Sequence, residues 1–186
     1  METKSKFVAT IPEPKLARLL FADTRLAMLW LVIRLYVGYE WLMAGISKLN
    51  SPAWLGEQAG TALKGFLAGA LQKTVGEHPD VAGWYASFIQ NFVLNHPIVF
   101  SNLVVYGEIA VGLGLILGLF TGIAAFFGSF MNLNYLLAGT VSTNPVLGIL
   151  QLFLILAWRI AGWYGLDRFA LPKLGTPWKH GEMFEK

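Results

Sequence analysis

The sequence predicts an all-α integral membrane protein, a four-helix bundle with a helical extracytoplasmic cap between its first and second spans. Three observations predict it. Hydrophobic residues fill 55% of the 186 positions and charged residues only 13%, with a mean hydropathy of +0.55, whereas a soluble domain carries about 25% charged residues. Four apolar runs fall at about 26–46, 98–119, 122–140 and 146–165, close to the roughly 20 residues that cross a bilayer as a helix. None alternates apolar and polar positions as a barrel strand does, so helices are left to satisfy every backbone group in lipid. Residues 1–186 are expected to form one domain.

The first span follows a basic segment containing Lys4, Lys6, Lys15, Arg18 and Arg25. Its apolar run is too long for a signal-peptide core and lacks a small-residue cleavage pattern, so it is expected to be retained. Arg34 stands in the middle of this run with apolar residues on every side. A charge at that depth costs roughly 2.5–3.5 kcal/mol and needs a partner or a wet cavity inside the protein. At about 100° per residue, Arg34, Gly38, Trp41, Gly45 and Lys48 share a stripe roughly 60–80° wide. Its glycines allow close helix approach, so the stripe should face other helices. Glu40 lies about 120° from Arg34 and about 9 Å along the axis, which rules out a direct pair within the helix.

Between the first and second spans, residues 47–97 are less hydrophobic and contain Pro52, Pro79 and Pro97. Within 57–72, Leu63, Phe66, Leu67, Ala70 and Leu71 gather on one helical side. Within 81–95, Trp84, Tyr85, Phe88, Ile89, Phe92 and Val93 supply a second apolar, aromatic set. Both segments read as short amphipathic helices. They either cap the outer end of the bundle or lie on the lipid surface.

The second span carries Glu108 near its midpoint among Gly107, Gly112, Gly114 and Gly118. An axial offset on the order of 5 Å makes Glu108 the favoured partner of Arg34, within reach of a guanidinium. Thr121-Gly122 marks the break before the third span, which supplies Asn132 and Asn134. Ser142-Thr-Asn-Pro145 marks the next break, with Pro145 suited to starting a helix. The fourth span supplies Gln151 toward the outside and Arg159 toward the inside. Polar groups on all four helices admit two readings. One is a buried network that locks the bundle. The other is a ligand or proton site lined by Arg34, Glu40 and Glu108, with Asn132, Asn134 and Gln151 nearby.

Charge placement sets the topology. Arg168, Lys173, Lys179 and Lys186 make the C-terminal tail basic like the N-terminal one, while the long loop has only Lys48, Lys64 and Lys73. Both termini are therefore expected in the cytoplasm and the loop outside. A net charge of +3 located in the tails gives no nucleic-acid signal, and the bilayer is the first partner. The absence of cysteine removes thiolate, iron–sulfur and Cys-type zinc chemistry from this chain. His78 and His96 fall in the loop and His180 in the tail, so no bis-His haem at membrane depth is expected. Glu77, His78 and Asp80 read as a solvated cluster, and no metal site is expected. No phosphate-binding glycine loop is present.

Arg34-x3-Gly38-x6-Gly45-x2-Lys48, followed by Gly107-Glu108-x3-Gly112-x-Gly114-Leu-x2-Gly118-Leu, resembles the DoxX/DoxD family of small four-span membrane proteins over about 26–165. Some members form the membrane subunit of thiosulfate:quinone oxidoreductase, which joins two thiosulfates into tetrathionate and passes electrons to quinone. The resemblance implies a multi-pass protein of a prokaryotic cytoplasmic membrane, with quinone as electron acceptor and no covalently bound cofactor. It marks Arg34, Lys48 and Glu108 as motif positions. The candidate catalytic set is Arg34, Glu40 and Glu108, with Lys48 drawing an anionic substrate and Asn132, Asn134 and Gln151 completing the binding set. The other reading is a non-catalytic structural or assembly subunit among further subunits of a larger membrane complex.

Overall fold

The computed structural model describes residues 12–174; Lys4, Lys6, Lys179, His180 and Lys186 lie outside them. The described chain is all-α, with helices α1 (Lys15–Ala22), α2 (Ala27–Leu49), α3 (Pro52–Leu55), α4 (Thr61–Leu71), α5 (Gly83–Phe88), α6 (Pro97–Leu117), α7 (Thr121–Leu137), α8 (Asn144–Leu156), α9 (Trp158–Ala161) and α10 (Asp167–Lys173). Two helical segments, Thr24–Leu49 and Pro97–Leu117, are long and apolar enough to cross a membrane.

Helices α2 and α6 make the tightest pair, antiparallel, and glycines set their distance. A side chain at Gly38 would press on Leu115 and Ile116, one at Gly45 on Ile109, and one at Gly112 on the backbone of Leu42. Small residues at these points let two apolar helices approach where no hydrophobic gain drives them together in lipid. The stripe expected on the first span is the buried face of α2, with Trp30, Arg34, Val37, Gly38, Trp41 and Gly45 all covered. Helix α6 also packs on α7, and α7 on α8. Gly114 meets Ala124, Gly122 meets Trp158, and Gly128 leaves room for Gln151. The core between these helices is built on Trp30, Val37, Trp41, Val111, Leu115, Ala125 and Leu154.

The last apolar run differs from the expected single helix over 146–165. Helix α8 ends at Leu156, the chain bends at Ala157, and α9 stops at Ala161. The chain then turns through Gly162 and Gly165, because both positions must be bare. A Cβ on Gly162 would collide with the Asp167 carboxylate, and one on Gly165 with the backbone of Leu117 and Gly118. Similarly, α7 ends at Leu137 rather than 140, where Gly139 takes the left-handed conformation with φ 70°.

A second apolar cluster sits at the other end of these helices, made by the loop between α2 and α6. Leu63, Leu67 and Ala70 of α4 pack with Tyr85, Ala86, Ile89 and Val93 of α5 and its π-helical extension, and with Ala138 after α7. Lys73 Nζ donates to the Gly139 carbonyl (2.5 Å), and the Tyr85 hydroxyl donates to the Asn134 backbone and side-chain oxygens (both 3.1 Å). The loop helices are thus joined to the ends of the long helices. Burial raises the Tyr85 phenol above its ordinary range. On the opposite side, Asp23 accepts from the Arg25 guanidinium and from the Arg25 backbone N–H, which hold its carboxyl below the usual carboxylate range.

Candidate functional site in a cavity at the loop end

The α2 stripe carries two cations about 21 Å apart along the helix, and they serve opposite ends of the molecule. The expected Arg34–Glu108 pair does not form. In the antiparallel register, Glu108 lies beside Gly45 while Gly38 already faces Leu115 and Ile116, so Arg34 reaches only the last turn of α6. Its guanidinium donates to the Leu115 carbonyl (2.7 Å), the Ile116 carbonyl (3.3 Å) and the Tyr164 carbonyl (3.1 Å). Two of these are carbonyls of the last turn of α6, at the negative end of the helix dipole, where helical N–H donors run out. The residue is 1% exposed, and Gly118, at φ 63°, opens the space its guanidinium fills.

Asp167, which is not among the expected site residues, completes this end. Its buried carboxylate accepts from the backbone N–H of Phe120 (2.5 Å) and of Thr121 (3.0 Å), acting as an N-cap for α7 from 46 residues away. The Asp167 N–H donates to the Gly118 carbonyl (2.7 Å), and the Leu166 N–H donates to the Leu117 carbonyl (3.0 Å). Glycines at 162 and 165 just before an acid were the available signal. Arg34 and Asp167 together tie the segment after α9 to the turn between α6 and α7.

Glu108 pairs with Lys48 instead. Lys48 Nζ donates to both carboxylate oxygens, at 2.7 and 2.9 Å, and the Tyr135 hydroxyl donates to Oε1 at 2.6 Å. Glu108 is 1% exposed, and all of its ionic and hydrogen-bonded partners point toward one cavity. That cavity is about 330 Å³ and is lined by Glu40, Trp41, Lys48, Trp54, Phe66, Glu108 and Tyr135, with Thr140, Ser142, Thr143 and Asn144 from the α7–α8 turn. The Lys48 ammonium lies 5.4 Å from the Trp54 ring centre. Trp41 stacks on Tyr135, and Phe66 meets the same ring edge-on. Three long helices and the loop helices α3 and α4 therefore contribute side chains to one aromatic chamber with a hydrogen-bonded Lys–Glu–Tyr group in its wall. Tyr135 was missed in the sequence, although it follows Gly128 and Asn132 at helical spacing on one face of α7.

The other expected residues divide. Glu40 lines the cavity and, among the described residues, has no ionic or hydrogen-bonded partner. Asn132 and Gln151 lie behind its wall. Asn132 donates to the Asn144 carbonyl (3.0 Å), and Gln151 accepts from the Trp41 indole N–H (2.7 Å) in the amide orientation that satisfies that ring. Both hold cavity-lining residues in place without reaching the cavity. Asn134 points away from it, to Tyr85 of the loop. Arg34 is at the other end.

The chain belongs to the DoxD family, described as TQO small subunit DoxD, whose pattern it matches over residues 29–181. That range takes in Arg34, Lys48, Glu108, Tyr135 and Asp167. The family is that of a thiosulfate:quinone oxidoreductase-like membrane subunit. Neither the curated proteins nor the solved structures contain a match to the chain.

Proposed function

We propose that this chain is the membrane subunit of a sulfur-compound:quinone oxidoreductase, and that the aromatic cavity receives the quinone ring. The observation that carries this reading is the Lys48–Glu108–Tyr135 group set in the wall of a 330 Å³ aromatic chamber. Such sites combine apolar walls with a few placed polar groups. In this reading α2, α6, α7 and α8–α9 form a four-helix bundle in a prokaryotic cytoplasmic membrane. The loop helices cap its outer end, and both termini are cytoplasmic.

Two thiosulfate ions join through one new S–S bond and release two electrons. The quinone takes those two electrons and two protons and becomes the quinol. Two Lys48 N–H groups are engaged by Glu108, and the third is available to a quinone oxygen. Glu108, bonded to both Lys48 and Tyr135, shares a proton path with the phenol and exchanges protons with the ring. Arg34 acts only through position, by fixing the C-terminal turn of α6, the helix on which Glu108 stands.

The test is quinone reduction by thiosulfate in purified protein held in nanodiscs. Tyr135→Phe and Glu108→Gln should each lower kcat/KM for a short-chain quinone by about tenfold or more, in the range of a lost acid–base group, with little change in Tm. Wild-type rates in both folded variants would overturn the site. The second reading, a subunit without chemistry of its own, draws on the family description as a small subunit. It requires co-purification with another membrane protein and no quinone binding by this chain.

A further inference from the structure

We propose that Glu40 sets the specificity of the cavity, admitting an uncharged ring and turning away small anions, so that the sulfur substrate is oxidised outside it. The inference rests on the reading of the cavity as a quinone site. It follows from the charges in the wall. Glu40, Lys48 and Glu108 are the charged residues that line the cavity, two carboxylates against one ammonium. The ammonium's charge is already balanced by Glu108, with Nζ on both of its oxygens. Arg34, the other cation of the α2 stripe, has its guanidinium on the carbonyls of Leu115, Ile116 and Tyr164. A thiosulfate dianion in the cavity would meet the unpartnered Glu40 carboxylate and no cation there whose charge is not already balanced. Low-dielectric surroundings magnify that repulsion, and the ion would also give up its hydration. A quinone ring carries no charge and gains the faces of Trp41, Trp54 and Phe66. The two substrates are therefore handled in different places, and the anion needs a basic surface elsewhere, on this chain or on another subunit.

The experiment uses the full chain in nanodiscs and two separate titrations by calorimetry, one with thiosulfate alone and one with a short-chain benzoquinone. Sulfate serves as the control for non-specific anion binding. Wild type should bind the quinone and show no saturable heat with millimolar thiosulfate. Glu40→Gln should gain saturable thiosulfate binding, an affinity gain of about tenfold or more, and that thiosulfate should displace the quinone. Glu40→Asp, which keeps the charge, should behave as wild type. Saturable thiosulfate binding by wild type that Lys48→Met abolishes would overturn the proposal, as would a Glu40→Gln variant that still excludes the anion. Failure of wild type to bind quinone would instead overturn the quinone reading, and the thiosulfate titrations would still decide the role of Glu40.

Discussion

Arg34 and Lys48 share one helical stripe, yet one holds the backbone together and the other belongs to a cavity. Three carbonyls depend on the Arg34 guanidinium, and hydrogen bonds to a charged donor contribute about 1.5–3 kcal/mol each. Part of that is offset because removing the side chain also removes a buried charge. Arg34→Ala should therefore destabilise the protein by about 3 kcal/mol, measured by denaturant titration in detergent, while the quinone KM of the folded fraction stays unchanged. Unchanged stability with lost quinone affinity would place Arg34 in the site after all. Glu108 presents the converse case. Its two oxygens satisfy Lys48 and Tyr135 together, so replacing it disturbs the cavity chemistry before it disturbs the α6 terminus.

At the scale of elements, glycine sets which residues meet. A Cβ on Gly112 would sit 2.6 Å from the Leu42 nitrogen, so the close approach of α2 and α6 depends on bare backbone there. Gly112→Leu should cost about 3 kcal/mol as overpacking, near the upper end of the usual range, and move Lys48 away from Glu108. Gly65→Ala in α4, where nothing stands within 4 Å of the added atom, should instead be neutral or stabilising by up to about 1 kcal/mol. Thermal melts of the two variants check the contrast, and equal losses would remove the special role of Gly112. The turn through Gly162 and Gly165 follows the same logic. It brings the Asp167 carboxylate to two open N–H groups at the start of α7, so a segment distant in sequence becomes part of a helix terminus.

For the whole molecule, the chain's lack of cysteine makes topology directly measurable. Val75, 77% exposed in the loop, and Leu16, 67% exposed in α1, lie at opposite ends of the long helices. Single cysteines at these positions should react differently with a membrane-impermeant maleimide on intact cells. Val75→Cys should label and Leu16→Cys should label only after lysis. The reverse pattern would invert the proposed orientation.

Much of the architecture was legible before any coordinates. Run lengths and hydropathy marked where the helices fall, and the 3.6-residue period marked the α2 face and the apolar face of α4, whereas Trp84, Phe88 and Phe92 of the second loop segment are exposed. The pairing of charges was not legible. Arg34 and Glu108 both stand in apolar surroundings and are opposite in sign, and each run fixes the depth of its own charge independently of the other. Antiparallel packing fixes the register through Gly38, Gly45 and Gly112, and a shift of several turns decided the partner. Tyr135 was hidden for a related reason. A phenol on an aromatic, apolar helix has no signature until a carboxylate from another helix arrives opposite it.

The sequence by itself therefore determined where the apolar helical runs fall, the buried face of the first span, the family and the charges within those runs that had to be compensated, because these depend on composition and on periodicity along one chain. Only the tertiary structure decided how the charges are compensated. It gave Arg34 to the carbonyls at the end of α6 and Asp167 to the start of α7, and it gathered Lys48, Glu108 and Tyr135 around one cavity. Those contacts join residues distant in the chain, and their geometry is set by the helix register and by which glycines allow the backbones to touch.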